Sequence, residues 1–208
     1  TIPENVGMNS KVLTKIDSIA NYAISKKMTP GIQVVVARKG KVIYQKSFGN
    51  HTYESSQNVT NTDVYDIASL TKIIATLPNV MQEFDQGHLT LETKLKTMLP
   101  EAKNSNKANA TVLDMLTHQA RFQPWIPFYK ATLDSLNRPS THFYRTEFSD
   151  DFPIHVADKL YLRKDYNDTI ISTILKSDLL PKKQYKYSDF TFILFKEYLE
   201  LHSKKSLE

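Results

Sequence analysis

Ser69 and Lys72 stand three positions apart in Ser69-Leu70-Thr71-Lys72. They open a stretch whose apolar residues recur at helical spacing as far as Gln86. One helical turn places both side chains on one face. A serine hydroxyl is a poor nucleophile at neutral pH, and a neighbouring lysine can take its proton. The first backbone N–H groups of a helix favour a developing oxyanion. The pair therefore points to acyl transfer through a serine nucleophile. By itself the pattern is weak, because 16 Ser and 22 Lys in 208 residues give about 1.7 such pairs by chance. The bland alternative makes Ser69 a helix N-cap and Lys72 a surface residue. Tyr187-Ser188-Asp189 precedes another helical run. Taken alone, Tyr187 reads as a half-buried aromatic before a helix, with Ser188 as its cap.

Other chemistry-bearing residues are scattered. The six histidines (51, 88, 118, 142, 155, 202) form neither His-x-x-x-His nor His-Glu-x-x-His, so no metal site is expected. His118 reads as a hydrogen-bonded core residue. No glycine-rich phosphate loop occurs, and no cofactor is expected. Trp125, Phe128 and Tyr129 could line a groove, but an aromatic cluster in a proline-rich stretch is expected to pack.

The elements that must position Ser69 and Lys72 follow from periodicity. Residues 10–28 predict an amphipathic helix with Ser10 as its cap. Ile32–Ala37 and Lys41–Phe48 predict two strands joined at Lys39-Gly40. The first is apolar on both faces, which predicts a central strand covered above and below. The Ser69–Gln86 helix should kink or split at Pro78 and stop at Gly87. Residues 111–118, 165–177 and 188–203 predict helices, and 119–150 an irregular excursion. Only two convincing strands are legible. A lone hairpin is marginal in water and leaves open edges.

Composition narrows the field. With 27 basic and 22 acidic side chains, the net charge is +5. The basic residues are mostly scattered lysines rather than the arginines that fork onto phosphates and bases, so no nucleic-acid partner is expected. No apolar run is long enough for a membrane span. The absence of cysteine excludes a disulfide scaffold. The chain opens at Thr1 without Met and is expected to be a processed product or an excised domain.

Tyr65-Asp66-Ile67-Ala68-Ser69-Leu70-Thr71-Lys72-Ile73-Ile74-Ala75-Thr76 resembles the active-site segment of serine β-lactamase and penicillin-binding-protein-like hydrolases, in their class C-type branch. The Gly31–Gly49 hairpin resembles the first two strands of that fold. Val112-Leu113-Asp114-Met115-Leu116-Thr117-His118 resembles a helix that the family carries after its nucleophile. Residues 121–184 match loosely, as a variable helical insert. Tyr187-Ser188-Asp189 resembles the family's Tyr-x-Asn, with Asp189 replacing the amide. The competing Ser-Asp-Asn register would put Phe190 where an amide belongs. The third motif, Lys-Thr-Gly or His-x-Gly on a late strand, is absent. Lys96-Thr97-Met98 lies in the wrong place, and no glycine follows Gly87.

The resemblance implies an α+β, β-lactamase-like fold with an N-terminal helix, a hairpin of a central antiparallel sheet and a large helical part, lacking its C-terminal strands. It implies one incomplete domain over 1–208, with the helix and hairpin in 1–49 and the mainly helical part in 65–204. It implies a hydrolase acting on a small-molecule or peptide acyl substrate, with Ser69, Lys72, Tyr187 and Asp189 as catalytic residues. Tyr187 would assist proton transfer, and Asp189 would hold the Lys72 ammonium. An extracytoplasmic location and another domain or chain on the open sheet edge are also implied. The alternative is a non-catalytic penicillin-binding-like module that binds cell-wall peptide or a partner protein. A helical adaptor with an accidental Ser-x-x-Lys requires the hairpin and Tyr187 likenesses to be coincidences.

Overall fold

A computed structural model describes residues Thr1–Leu207. The fold is α+β, in two compact units that divide between Asp66 and Ile67.

The first unit holds α1 (Ser10–Leu13), α2 (Lys15–Ser25), β1 (Gly31–Arg38) and β2 (Lys41–Gly49). The cap of α1 is Asn9, whose Oδ1 accepts from the Val12 N–H at 3.2 Å. Ser10 is the first helical residue, which corrects the expected cap by one position. The strands pair antiparallel, with Gly31 opposite Gly49. Lys39 and Gly40 both have positive φ, as a tight turn matched to the strand twist demands. Gly31 is required by close approach: a Cβ there would lie 2.4 Å from the Asn50 carbonyl oxygen and from Val59 Cγ2. Among the described residues β1 pairs with β2 alone. It was expected to be a central strand covered on both faces, yet Val35 is 55% exposed. Apolar content on both faces records the environment a strand is suited to, and β1 is an edge here. The unit's small core is Val6, Leu13 and Ile43.

The second unit opens with helical residues Leu70 and Thr71, a π-helical turn over Lys72–Thr76, and α3 (Leu77–Asp85). Pro78 has no N–H, and its ring collides with the carbonyl four residues back in a regular helix. The chain answers by widening. Leu77 N–H bonds the Lys72 carbonyl, five residues earlier, and Asn79 Nδ2 donates to the Ala75 carbonyl at 2.9 Å. The expected kink is therefore a π-turn within a continuous helix. Gly87, at φ 78°, ends it, with the His88 N–H returning to the Glu83 carbonyl.

Next come α4 (Leu95–Met98) and α5 (Val112–Leu116), the latter capped by Thr111. The insert read as helical contains, besides one α-helix, a small sheet. It comprises β3 (Tyr144–Arg145), β4 (Ile154–Ala157) and β5 (Leu160–Leu162), in the order β3-β5-β4. These strands are too short for their period-2 pattern to stand out, and the turn rests on Lys159 at φ 49°. The unit closes with α6 (Tyr166–Lys176) and α7 (Phe190–Ser203).

The main core lies in this second unit. Helix α7 buries Phe190, Leu194, Phe195, Tyr198 and Leu199, a stripe at helical spacing. It is joined by Leu95, Leu99, Met115 and Ile174. Each large apolar side chain so buried contributes about 1.5–3 kcal/mol. Phe128 packs 6.4 Å from Phe190, centroid to centroid, as expected of it. Trp125 and Tyr129 are exposed, contrary to expectation. No helix among the described residues is long and apolar enough to cross a membrane.

Candidate active site

Ser69 is exposed at the head of the π-turn helix. Ala68, immediately before it, has φ 43°. Left-handed backbone is unusual for a residue with a side chain and persists where the surroundings impose it. The following N–H groups close a run of tight turns: Leu70 to the Ile67 carbonyl, Thr71 to Ala68 and Lys72 to Ser69, at 2.9–3.1 Å. Those three donors are committed within the turn. The Ser69 N–H makes no backbone hydrogen bond among the described residues.

Lys72 folds back over Ser69. Its Nζ donates to Ser69 Oγ at 3.0 Å. It also sits 2.7 Å from Asp189 Oδ1 in an ion pair with the lysine side chain only 16% exposed. The ammonium lies over the rings of Tyr187 and Phe192, at 5.3 and 5.8 Å from their centroids. Burial is the largest influence on its pKa and pushes it down. The Asp189 carboxylate, aided by Tyr187, outweighs burial, and the net displacement is upward. Lys72 is therefore held as an ammonium near neutral pH.

The Tyr187–Asp189 segment is held from the other side by residues 118–124. Lys186 N–H donates to the His118 carbonyl at 2.8 Å, and Ser188 N–H to His118 Nδ1 at 3.2 Å. Ser188 Oγ donates to the Gln123 carbonyl at 2.6 Å, and Asp189 N–H to Pro124 at 2.8 Å. The His118 ring lies 4.6 Å from the Tyr187 ring. An imidazole that accepts at Nδ1 carries its proton on Nε2 and is neutral. Burial first, then the nearby Lys72 charge, lowers its pKa, with Asp189 acting in the opposite sense.

Thus Ser69, Lys72 and Asp189 form a connected row, and Tyr187 reaches it through its ring over Lys72. No hydrogen bond joins Tyr187 directly to Ser69 among the described residues. His118 was read as a hydrogen-bonded core residue. It is half-buried and hydrogen-bonded, and its contacts fall on the Tyr187 segment. Sequence reasoning missed that link, and it missed Phe192, because neither has a local spacing to Ser69.

The sequence profile described as Beta-lactamase matches residues 20–208, nearly the whole chain. The chain belongs to the beta-lactamase family. Among curated relatives of this beta-lactamase-family chain, a "Beta-lactamase" of Providencia stuartii is 29% identical over 124 residues, which are 59% of this chain and 31% of that protein. "Esterase EstB" of Burkholderia gladioli is 23% identical over 121 residues, 56% of this chain and 31% of that protein. The chain therefore spans about a third of the length of these relatives. A class C beta-lactamase structure from Rhodobacter sphaeroides superposes with a TM-score of 0.61 at 21% identity, covering 93% of this chain and 45% of that one. At that identity the likeness concerns the fold. Hydrolase is the activity these relatives share by name.

Proposed function

We propose that this chain carries the nucleophile of a serine acyl-transfer hydrolase. The observation that supports it most is the 3.0 Å contact between Lys72 Nζ and Ser69 Oγ at a helix start. In this reading Ser69 Oγ attacks the acyl carbon and its proton passes to Lys72. The leaving group departs with a proton relayed through Lys72 and Tyr187, and water later cleaves the acyl-enzyme ester. The Ser69 N–H faces the oxyanion. Lys72 must first lose the proton that Asp189 helps it keep, so Asp189 tunes the base as well as positioning it. The substrate is a small or peptidic acyl compound of the β-lactam, D-alanyl peptide or ester class, encountered outside the cytoplasm.

The Lys72–Asp189 ion pair also gives weight to a second reading, a non-catalytic module that binds cell-wall peptide or a partner protein. A lysine held charged is a poor resting base. One experiment separates the two. The chain is incubated with a fluorescent penicillin and with a fluorophosphonate, and the adduct is located by mass spectrometry. The hydrolase reading expects the label on Ser69 and its loss in Ser69→Ala. An adduct elsewhere, or none on the longest natural form of the protein, favours the binding module.

A further inference from the structure

Away from Ser69, three ligand-type side chains converge where the sequence offers no metal spacing. Glu83 lies in the last turn of α3, His88 just past its glycine stop, and His202 in the last turn of α7. His88 Nδ1 is 3.1 Å from Glu83 Oε2, His202 Nε2 is 3.3 Å from the same oxygen, and the two ring nitrogens are 3.2 Å apart. The three atoms form a nearly equilateral triangle. A tetrahedral ion with ligands at about 2.0–2.1 Å spaces them about 3.3 Å apart. Two nitrogens and a carboxylate oxygen suit a borderline divalent ion, with one position left open.

Three further observations point to a cation at this place. Glu83 is buried, and a buried carboxylate is costly without a positive partner. Among the described residues its side-chain partners are the two imidazoles and the Tyr198 hydroxyl, which donates to Oε2 at 3.2 Å, with no lysine or arginine. Tyr198 also stacks on the His202 ring at 5.5 Å, so one residue orients two ligands. Finally, α3 and α7 both present their C-terminal ends here, where the helix dipole favours positive charge.

We propose that Glu83, His88 and His202 form a Zn²⁺ site that clamps the C-terminal ends of α3 and α7. These are the helices whose leading ends bring Lys72 and Asp189 together. Glu83 lies about 20 Å along the helix from Ser69 at ~1.5 Å per residue, so the ion does not touch the acyl chemistry. Its role is to fix the helix pair. The sequence led to the opposite expectation because His88 and His202 are 114 positions apart.

The test is Zn²⁺ titration of the chelator-treated, intact protein, followed by calorimetry and by competition with a chromophoric chelator. Co²⁺ serves as a spectroscopic probe of four-coordination. One equivalent should bind and raise the thermal midpoint. His88→Ala and His202→Ala should each weaken binding at least about tenfold, while Ser69→Ala leaves it unchanged. Both histidines are exposed, so these variants should fold, and circular dichroism checks that they do. If either fails, His88→Gln and His202→Gln replace them. Absence of stoichiometric binding, or binding that survives loss of both histidines, overturns the proposal. The triangle is then held by shared protons.

Discussion

Lys72 Nζ lies 2.7 Å from Asp189 Oδ1, and the same ammonium donates to Ser69 Oγ. One cation thus bridges the Ser69 hydroxyl at one helix start to the carboxylate at another. In the proposed reaction its charge state decides whether Ser69 has a base.

Asp189→Asn should therefore change the pH dependence of acylation in a defined direction. Burial alone lowers the Lys72 pKa, and Asp189 is the chief influence that reverses it. Without the carboxylate, neutral Lys72 forms at lower pH. The labelling rate of Ser69 by a fluorophosphonate, followed from pH 6 to 10, should reach its plateau at lower pH in the variant. An unchanged or upward-shifted profile would show that Lys72 is not the base.

His118 should behave as an acid-sensitive clasp on the Tyr187 segment. Its folded pKa is depressed by burial and by Lys72. The stability it contributes is present above the unfolded value of about 6.5 and is lost as pH falls through the lower folded value. Protonation at Nδ1 also removes the acceptor for Ser188 N–H. Asparagine tolerates the φ of 55° at this position and offers a non-titrating acceptor. Urea midpoints between pH 7.5 and 5 should fall less in His118→Asn than in the parent. Equal slopes would remove His118 from this role.

Lys107 gives a prediction of the same pH sense in a higher window. It is 1% exposed, donates to the Ser177 carbonyl and to Asn106 Oδ1, and lies over Phe122. Burial depresses its pKa to about 8, against a partly offsetting Asp178. Between pH 8 and about 10.4 the unfolded chain holds a proton that the folded chain does not, so this residue's contribution to stability rises with pH. The gain is roughly 3 kcal/mol at most, from ~1.4 kcal/mol per unit. The difference in unfolding free energy between the parent and Lys107→Met should grow in favour of the parent over that window. A constant difference would show that the folded pKa is ordinary.

The free edge of β1 and the lack of any glycine after Gly87 bear on turnover. With Ser69 N–H as the one oxyanion donor the proposed reaction assigns among the described residues, the 208-residue chain should turn over acyl substrates slowly. A longer chain supplying strands beside β1 and a second donor should be faster by ~10²–10³, the usual effect of one donor. Steady-state hydrolysis of a chromogenic ester by the two chains decides it. Equal rates would mean that the site needs no second donor.

The sequence alone determined the local features. Periodicity located α2, α6 and α7 because their buried stripes repeat within a few residues. Lys39-Gly40 located the hairpin because only certain residues tolerate positive φ in a tight turn. Ser69 and Lys72 were legible as a pair because a helix turn is itself local. Tertiary structure alone decided the rest. Whether β1 is an edge depends on which strands lie beside it, not on its own composition. The π-turn arises where Pro78 meets a helix that packing holds continuous. The strands of residues 144–162 are too short to announce themselves. His118 reaches Tyr187 because residues 118–124 hold the 186–189 segment, and His202 meets Glu83 and His88 because α7 packs on α3. Contacts between residues tens of positions apart carry no spacing to read, since only the packed chain brings them together.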